Sequence, residues 1–141
     1  MNQDRTSFRV GVNVFVIRDN KVLLGLRKNV FGAGTWGLPG GHLEKNEKMH
    51  DAAARELMEE TGLLAGDLSF TCLVNQWNRD DHYVQVNFLA KNVNGEPQNM
   101  EPECCEEWRW FALLDLPSNV FIGHVEIIDL FKNGQEKFAD A

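Results

Sequence analysis

Runs of apolar residues near the start of the chain predict two paired strands. Residues 8–17 are rich in Val, Phe and Ile, and a second apolar run covers residues 22–26. The intervening Asp19, Asn20 and Lys21 are residue types that favour a tight turn. We therefore predict a β-hairpin here.

Glycines are concentrated in residues 29–41, which hold five of the twelve glycines of the chain together with Pro39. Glycine lets a backbone turn sharply or approach another group closely. This composition predicts an ordered loop that frames a short strand near Trp36.

A helix is predicted over residues 47–61. Asn46 is a suitable N-cap, Glu47 places a negative charge in the first turn, and Gly62 is suited to end the helix. The start and stop signals thus agree with each other.

Two strands, a loop, a third strand and a second helix are predicted for the rest of the chain. The two strands cover residues 68–77 and 82–90, and residues 96–106 show no periodic pattern. A short aromatic strand at 108–112 precedes apolar residues at helical spacing over 121–131. These apolar residues are Phe121, Val125, Ile128 and Phe131.

This order of elements predicts an α+β fold in which helices cover both faces of a mixed sheet, as an α/β/α sandwich. At 141 residues the chain has room for one such domain, so we predict a single domain over residues 1–141. Apolar residues make up 43% of the chain and charged residues 25%, which is the balance of a packed globular protein.

The charge balance argues against several classes of partner. The net charge is -7 and Lys and Arg form no cluster, so we do not expect long nucleic acid as a partner. The sequence contains no apolar run of about 20 residues, and residues 1–7 do not resemble a secretory signal. Cys72, Cys104 and Cys105 lack the spacing of a zinc site. We predict a cytoplasmic protein with reduced thiols and no membrane partner.

Three glutamates share one side of the predicted helix. At about 100° per residue, Glu60 lies about 40° from Glu56, and Glu59 lies about 60° from it in the other direction. The prediction places Ala52 and Ala53 on the same arc, and it places Ala54, Leu57 and Met58 on an opposite, apolar side.

An acidic helix face has two interpretations. It is often a solvated surface. However, each carboxylate pair repels by ~3 kcal/mol at about 6 Å and an effective dielectric of about 20, and the helix dipole disfavours anions at this end. Bound cations would relieve both effects. Carboxylate oxygens suit Mg²⁺ or Mn²⁺, so a metal site for phosphoryl chemistry is the alternative hypothesis.

Residues 41–63 resemble the Nudix box at every defined position. The matching residues are Gly41, Glu47, Arg55, Glu56, Leu57, Glu59, Glu60, Gly62 and Leu63. The motif is highly specific because it restricts many residue types at fixed spacing. The resemblance implies a loop–helix–loop on an α/β/α sandwich, in a Mg²⁺-dependent hydrolase of nucleoside diphosphate-linked compounds.

The resemblance also implies roles for individual residues. It makes Glu56, Glu59 and Glu60 metal ligands, with Glu59 and Glu60 also catalytic. The backbone carbonyl of Gly40 would be a further metal ligand. The residues that would orient the helix carboxylates are Glu47 and Arg55.

Many family members use a further, downstream glutamate as a metal ligand or as the base. Glu103, which precedes Trp108, is our candidate for this catalytic role. Glu106 and Glu107 are alternatives, and each of the three could be a surface charge of a loop.

Outside the box, short segments resemble the nucleotide triphosphate diphosphatase subgroup. These segments are 22–25, 27–28, 32–34, 38–44, 82–84 and 101–103. The resemblance implies a homodimer that converts (deoxy)nucleoside triphosphates to monophosphates and diphosphate. The implied substrate-binding residues are Arg27, Leu38, Gly41, His42, Phe121 and Gly123.

Within this set, Arg27 would face the phosphates and Phe121 would border the base, although ordinary helix-to-sheet packing is the favoured role for Phe121. His42 is either a binding residue or an exposed loop histidine. Gly37 stands where the subgroup often has a polar residue for base contact. Base preference is therefore left open.

Two other functions remain at this point. The residues of the box bind only the diphosphate and its metal, so ADP-ribose or a nucleotide sugar is an alternative substrate. A non-catalytic nucleotide-binding module is the other alternative, but such modules usually lose box glutamates, and this chain keeps Glu56, Glu59 and Glu60.

Overall fold

Eight strands and two helices make up residues 7–141, the part of the chain that the computed structural model describes. Met1–Thr6, most of the polar segment that we judged unlike a secretory signal, lie outside the described residues. The elements are β1 (Arg9–Arg18), β2 (Lys21–Arg27), β3 (Trp36–Gly37), β4 (Gly40–His42), α1 (Met49–Thr61), β5 (Asp67–Trp77), β6 (His82–Lys91), β7 (Cys105–Ala112), α2 (Ile122–Asn133) and β8 (Phe138–Asp140).

The strands form a mixed sheet in the order β3-β2-β1-β6-β5-β8, with β4 paired to β1 and β7 paired to β2. Strand β1 is central: it runs parallel to β6 and antiparallel to β2 and β4. The predicted hairpin of β1 and β2 is confirmed, with Asp19 and Asn20 at the turn in the left-handed conformation.

Side chains of β1 alternate between the two faces of the sheet, and each face is covered by a helix. Val12, Val14 and Val16 pack in the core on the α1 side. Phe15 points the opposite way and packs in the core on the α2 side. The predicted α+β sandwich is therefore confirmed.

The face that α1 buries overlaps the predicted one only in part. Leu57 is fully buried as predicted, but Met58, predicted on the same side, is 38% exposed. Ala52 and Ala53, predicted on the acidic arc, are also fully buried, so the buried face extends to the acidic residues. Glu56, whose side chain is only 14% exposed, lies at the border of the core. The predicted apolar face was incomplete because alanine was treated as a spacer beside the acids, whereas alanine lets the helix pack closely on the sheet.

The start of α1 also differs from the prediction. Asn46 does not cap the helix; it adopts a left-handed conformation in the preceding turn. Glu47 accepts a hydrogen bond from the Glu44 N–H in this turn. The helix begins two residues later, at Met49, and Gly62 ends it as predicted, with its N–H donating to the Met58 carbonyl.

Helix α2 buries a face that the apolar spacing identified only in part. Ile127 and Ile128 are buried in the core, but Val125 is 40% exposed. The buried face also includes a polar residue, His124. A polar side chain that lines a cavity cannot be recognised from apolar periodicity.

We expect Ile127→Val to destabilise the protein by about 0.5–1.5 kcal/mol, because it removes one methylene group from a filled core. Val125→Ala on the same helix should change the free energy of unfolding by less than about 0.5 kcal/mol, because Val125 is largely solvated. Urea denaturation of both variants measures these values. Equal losses would contradict the assigned buried face.

Two short strands were not predicted. Strand β4 lies within the glycine-rich segment predicted as loop, and its residues pair with β1. Strand β8 adds a parallel edge to β5. In addition, β7 begins at Cys105, three residues before the predicted start at Trp108. Glycine-rich and very short strands carry little propensity signal, so their pairing depends on the neighbouring strand.

Aromatic side chains away from the carboxylates also have defined surroundings. Trp108 and Trp110 pack against the core on the α1 side. His50 is exposed, with its ring 4.7 Å from that of Phe88. In the described part of the chain, no helix has the length and apolar character needed to cross a membrane.

Candidate active site

A cavity of about 710 Å³ opens at the edge of the sheet, between the β3–β4 segment and the N-terminal end of α2. This volume lies within the range of small-molecule sites. All six residues predicted to bind substrate line it, as do Gly40 and Glu60. The six are Arg27, Leu38, Gly41, His42, Phe121 and Gly123.

Two glycines allow strand β4 to lie directly against the acidic side of α1. A Cβ at Gly41 would collide with the Glu56 carboxylate, and a Cβ at Gly40 would collide with the Val12 carbonyl of β1. The Gly40 N–H donates to Glu60 Oε1 at 2.7 Å. The glycine pair thus brings the main chain of β4 next to the carboxylates of Glu56 and Glu60.

Arg55 connects Glu47, in the turn before α1, to two glutamates of the helix. Its Nε and Nη2 atoms donate to the two carboxylate oxygens of Glu47, at 2.7 and 3.0 Å. Its Nη1 atom donates to Glu56 at 2.9 Å and to Glu59 at 3.4 Å. These contacts hold the carboxylates in position, as an orienting role requires.

Glu60 carries the largest perturbation among the box carboxylates. Burial raises its pKa to about 8, and the nearby charges of Glu56 and Glu101 add to this increase. Burial also raises the pKa of Glu56, although Arg55 opposes the change. The acidic cluster therefore has less positive charge around it than its ionised form needs.

These residues fit a hard divalent cation. The donor set is carboxylate and carbonyl oxygen, and the glycine at position 41 leaves open the space beside Glu56 that a Cβ would fill. The three glutamates do not converge in this structure, because Arg55 holds Glu56 and Glu59 while Glu60 faces Gly40. Consistent with this, residues 7–141 contain no preformed group of three acidic, His or Cys ligands.

Comparison with known proteins identifies the family. A family model described as the NUDIX domain matches residues 7–131. The chain belongs to the Nudix family. Hydrolases of this family generally use a divalent metal, which agrees with the donor set of the acidic cluster.

Nudix relatives of two different names are similar to this chain. The oxidized purine nucleoside triphosphate hydrolase of Mus musculus is 35% identical in an alignment of 113 positions that covers 74% of this chain and 66% of that protein. The chain thus spans just under two thirds of that relative. The ADP-ribose pyrophosphatase of Methanocaldococcus jannaschii is 34% identical in an alignment of 130 positions that covers 89% of this chain and 75% of that protein.

A solved Nudix structure supports the fold over most of the chain. The crystal structure of a MutT NUDIX hydrolase from Burkholderia pseudomallei matches with a TM-score of 0.83 and 34% identity. The match covers 88% of this chain and 98% of that one. The arrangement of helices on the sheet is therefore the arrangement of the Nudix family.

A further downstream glutamate, Glu101, bears on the Nudix box carboxylates. Burial is the main cause of the raised pKa of Glu56 and of Glu60, and the negative charge of Glu101 contributes to both increases. Glu103 is exposed, and its backbone carbonyl accepts a hydrogen bond from Asn29. The two glutamates are separated by a turn in which the Cys104 N–H donates to the Glu101 carbonyl.

The two alternatives to Glu103 lie on the surface. Glu106 is 3.8 Å from the Lys28 ammonium, and Glu107 is 2.6 Å from an Arg109 nitrogen. Surface pairs of this kind contribute little to stability. Neither glutamate lines the cavity.

Arg27 and Phe121 form one unit in the cavity wall. The Arg27 guanidinium carbon lies 4.0 Å from the centroid of the Phe121 ring, and Arg27 Nε donates to the Phe31 carbonyl. Phe121 is only 9% exposed, whereas Phe31 is 75% exposed. Phe121 therefore supports Arg27, and Phe31 is the more accessible ring at the cavity mouth.

His42 lies at the rim of the cavity. Its ring is 5.6 Å from the Tyr83 ring, and the Tyr83 hydroxyl is 3.4 Å from His42 Nε2. The His42 carbonyl accepts from Arg55 at 3.2 Å. The residue is exposed, so both roles predicted for it remain compatible with its position.

Three buried polar residues of the cavity were missed by sequence reasoning: Asn13, Gln85 and His124. Asn13 interrupts an apolar run in β1, and Gln85 interrupts the apolar residues of β6 together with Asn87. A polar residue at a strand position predicted to be buried is a usable signal, because such groups need a hydrogen-bond partner or a ligand.

In the absence of metal, Glu60 should make the stability of the protein depend on pH. Its pKa rises from an ordinary 4.5 to about 8 on folding, so the folded state holds its proton more tightly. The resulting stabilisation is fully present below pH 4.5 and is lost as the pH rises through 8.

Glu60→Gln removes this dependence. With EDTA present, the melting temperature of Glu60→Gln relative to wild type should be higher at pH 8.5 than at pH 5. Calorimetric melts of both proteins at the two pH values measure the difference, and an equal difference at both would contradict the assignment.

Proposed function

We propose that this Nudix protein is a Mg²⁺-dependent hydrolase that converts nucleoside triphosphates and water to nucleoside monophosphates and diphosphate. The observation that carries the proposal is the position of Glu60, which lines the same cavity as Arg27. The site thus combines an acidic cluster that needs a cation with a basic side chain that attracts phosphate.

The residues that would hold the metal are the carboxylates of Glu56, Glu59 and Glu60 and the carbonyl of Gly40. When bound, Mg²⁺, or Mn²⁺ in its place, polarises a phosphate oxygen and makes water more acidic. Glu47 and Arg55 would act as orienting residues, because Arg55 contacts Glu47, Glu56 and Glu59.

Arg27 is suited to hold a phosphate in the cavity. Its guanidinium is kept in place by Phe121 and by the Phe31 carbonyl, so little side-chain entropy is lost when an anion binds. Glu59, about half exposed, remains a candidate to accept the proton of the attacking water. Glu103 remains the candidate that the resemblance supplies, and Glu101 joins it because its charge contributes to the raised pKa of Glu56 and Glu60.

ADP-ribose is the second candidate substrate. The Methanocaldococcus jannaschii relative named ADP-ribose pyrophosphatase is 34% identical, almost as similar as the mouse triphosphate hydrolase. Both linkages present a diphosphate to the same carboxylates. A non-catalytic nucleotide-binding module is less consistent with the complete set of box glutamates.

A hydrolysis screen with Mg²⁺ separates these functions. Wild-type protein is incubated with nucleoside triphosphates, ADP-ribose and nucleotide sugars in ¹⁸O-labelled water, and products are identified by mass spectrometry. We expect monophosphate and diphosphate from the triphosphates, with the label showing which phosphorus is attacked. Turnover of ADP-ribose alone would favour the second candidate, and turnover of none would support a binding module.

Homodimer formation and a cytoplasmic location belong to the same proposal and are supported by the resemblance of the chain to the triphosphate diphosphatase subgroup. The proposal takes residues 1–141 as one domain.

A further inference from the structure

Three amide side chains form a hydrogen-bonded relay on the α2 side of the sheet, and two of them, Asn13 and Gln85, line the cavity. The relay is anchored at Asn87, which is fully buried. Asn87 Nδ2 donates to the main-chain carbonyls of Cys72 and Gln85, at 3.1 and 3.2 Å. A carbonyl can only accept, so these two contacts fix which end of the Asn87 amide is nitrogen.

The fixed orientation of Asn87 determines the next two amides. Asn87 Oδ1 must accept, so the atom of Asn13 that faces it at 3.0 Å is the donor Nδ2. The second hydrogen of Asn13 Nδ2 is directed to Gln85 Oε1 at 2.9 Å. Gln85 therefore has its oxygen in the relay and its NH₂ group free of it.

The NH₂ group of Gln85 is available to a ligand. Gln85 lines the cavity, and no hydrogen bond formed among residues 7–141 uses its Nε2 atom as the donor. Asn13 Oδ1 lies against Gly40, where a glycine Cβ would collide with it. The relay consequently presents the NH₂ group of Gln85 to the cavity as a hydrogen-bond donor.

His124 provides a second donor that is fixed in the same way. The Leu38 N–H donates to His124 Nδ1 at 2.9 Å, so in the neutral ring the hydrogen is on Nε2. Burial, with a contribution from Arg27, lowers the pKa of His124 to about 3, so the ring is neutral at physiological pH. His124 is 5% exposed and lines the cavity, and within the described part of the chain Nε2 has no hydrogen-bond partner.

We propose that Gln85 and His124 are specificity-determining residues that select a nucleobase with a keto oxygen over one with an amino group at the same position. The inference rests on the proposed function, because it takes the cavity to hold the base of a nucleotide. Asn13 and Asn87 are positioning residues, since they act on the base through Gln85.

The physical basis is that neither donor can reverse its role. An amide on a protein surface can rotate to present its oxygen, but rotation of Gln85 would place its NH₂ against the Asn13 NH₂. His124 would have to give up the Leu38 N–H. The amino group of an amino base would therefore meet the N–H groups of Gln85 and His124, and all of these groups are donors. Such a ligand binds weakly because the donors of the site are left unpaired.

Two matched pairs of nucleotides test this inference. Inosine and adenosine monophosphates differ at position 6 of the purine, and uridine and cytidine monophosphates differ at position 4 of the pyrimidine. Titration calorimetry with wild-type protein gives the four dissociation constants. We expect the keto member to bind about tenfold more tightly or better in at least one pair, the size expected for a lost hydrogen bond in a buried site.

Two variants of Gln85 then assign the effect. Gln85→Met removes the donor and should bring the ratio of dissociation constants in that pair close to one. Gln85→Glu keeps an acceptor for Asn13 but turns a second oxygen to the cavity, so the preference should shift towards the amino base. Gln135→Met, in the exposed segment after α2, is the matched control and should keep the wild-type ratio.

Different outcomes of these experiments refute the inference and the proposed function. Equal affinities within both pairs, no binding of any monophosphate, or an unchanged ratio in both Gln85 variants would overturn the inference. Circular dichroism checks folding, and Gln85→Glu serves as the test if Gln85→Met does not fold. A wild-type protein that shows the keto preference but hydrolyses no triphosphate would refute the proposed function alone.

Discussion

Replacing Glu60 with glutamine is expected to lower kcat by roughly a hundred- to a thousandfold, the cost of removing one preorganised charged group from a site where charge develops. The change is nearly isosteric, and the glutamine oxygen can still accept the Gly40 N–H that Glu60 accepts at 2.7 Å. The fold should therefore survive. Steady-state kinetics at saturating Mg²⁺ measure the loss, with a melting curve as the check on folding.

Asp51→Asn is the matched control for this variant. Asp51 is a carboxylate of the same helix, but it is exposed in the first turn, away from the cavity. Its kcat should stay within about twofold of wild type, because exposed substitutions away from a site have small effects. If Glu60→Gln turned over substrate as fast as this control, the metal-binding and catalytic roles given to Glu60 would be wrong.

Arg55→Gln should reduce metal affinity or activity by about 10- to 100-fold, the usual effect of removing a residue that orients metal ligands. Arg55 holds Glu56 and Glu59 with one nitrogen and Glu47 with two others. Without it, the carboxylates lose their orientation but keep their charge. The dependence of the rate on Mg²⁺ concentration should therefore shift to higher concentration.

This shift distinguishes positioning from catalysis. Extra Mg²⁺ should restore much of the rate of Arg55→Gln, whereas it should not restore Glu60→Gln. Arg55→Lys should recover little, because an ammonium cannot make the two parallel contacts to Glu47. Arg109→Gln, which removes an exposed ion pair to Glu107, is the control. A loss in Arg55→Gln that Mg²⁺ does not reduce would contradict the orienting role.

The elements with strong local patterns could be predicted from the sequence. The sequence signals predict helix α1 to within two residues at its start, and Gly62 marks its end. The hairpin of β1 and β2 is predictable because Asp19 and Asn20 tolerate the left-handed conformation that its turn requires. Strand β4 escaped prediction, since its two glycines have no strand propensity of their own and pair only because β1 lies beside them.

The site was predictable where a motif specified it and unpredictable where it depends on tertiary position. The substrate-binding residues taken from the resemblance all line one cavity. The electrostatic role of Glu101 depends on the path of a loop, which sequence spacing does not determine. The relay of Asn13, Gln85 and Asn87 joins β1 to β6 across more than seventy residues of chain, so no local pattern reveals it.

The hydrogen bond from Leu38 to His124 joins the β3–β4 segment to α2, the two walls of the cavity. Because both partners are nearly buried, the Leu38 amide can exchange its hydrogen with solvent only when the walls separate. The exchange rate of this single amide therefore reports on cavity opening, and NMR of the ¹⁵N-labelled protein measures it without substrate. A ligand that bridges the two walls would slow the exchange of the Leu38 amide, whatever the chemical identity of the ligand.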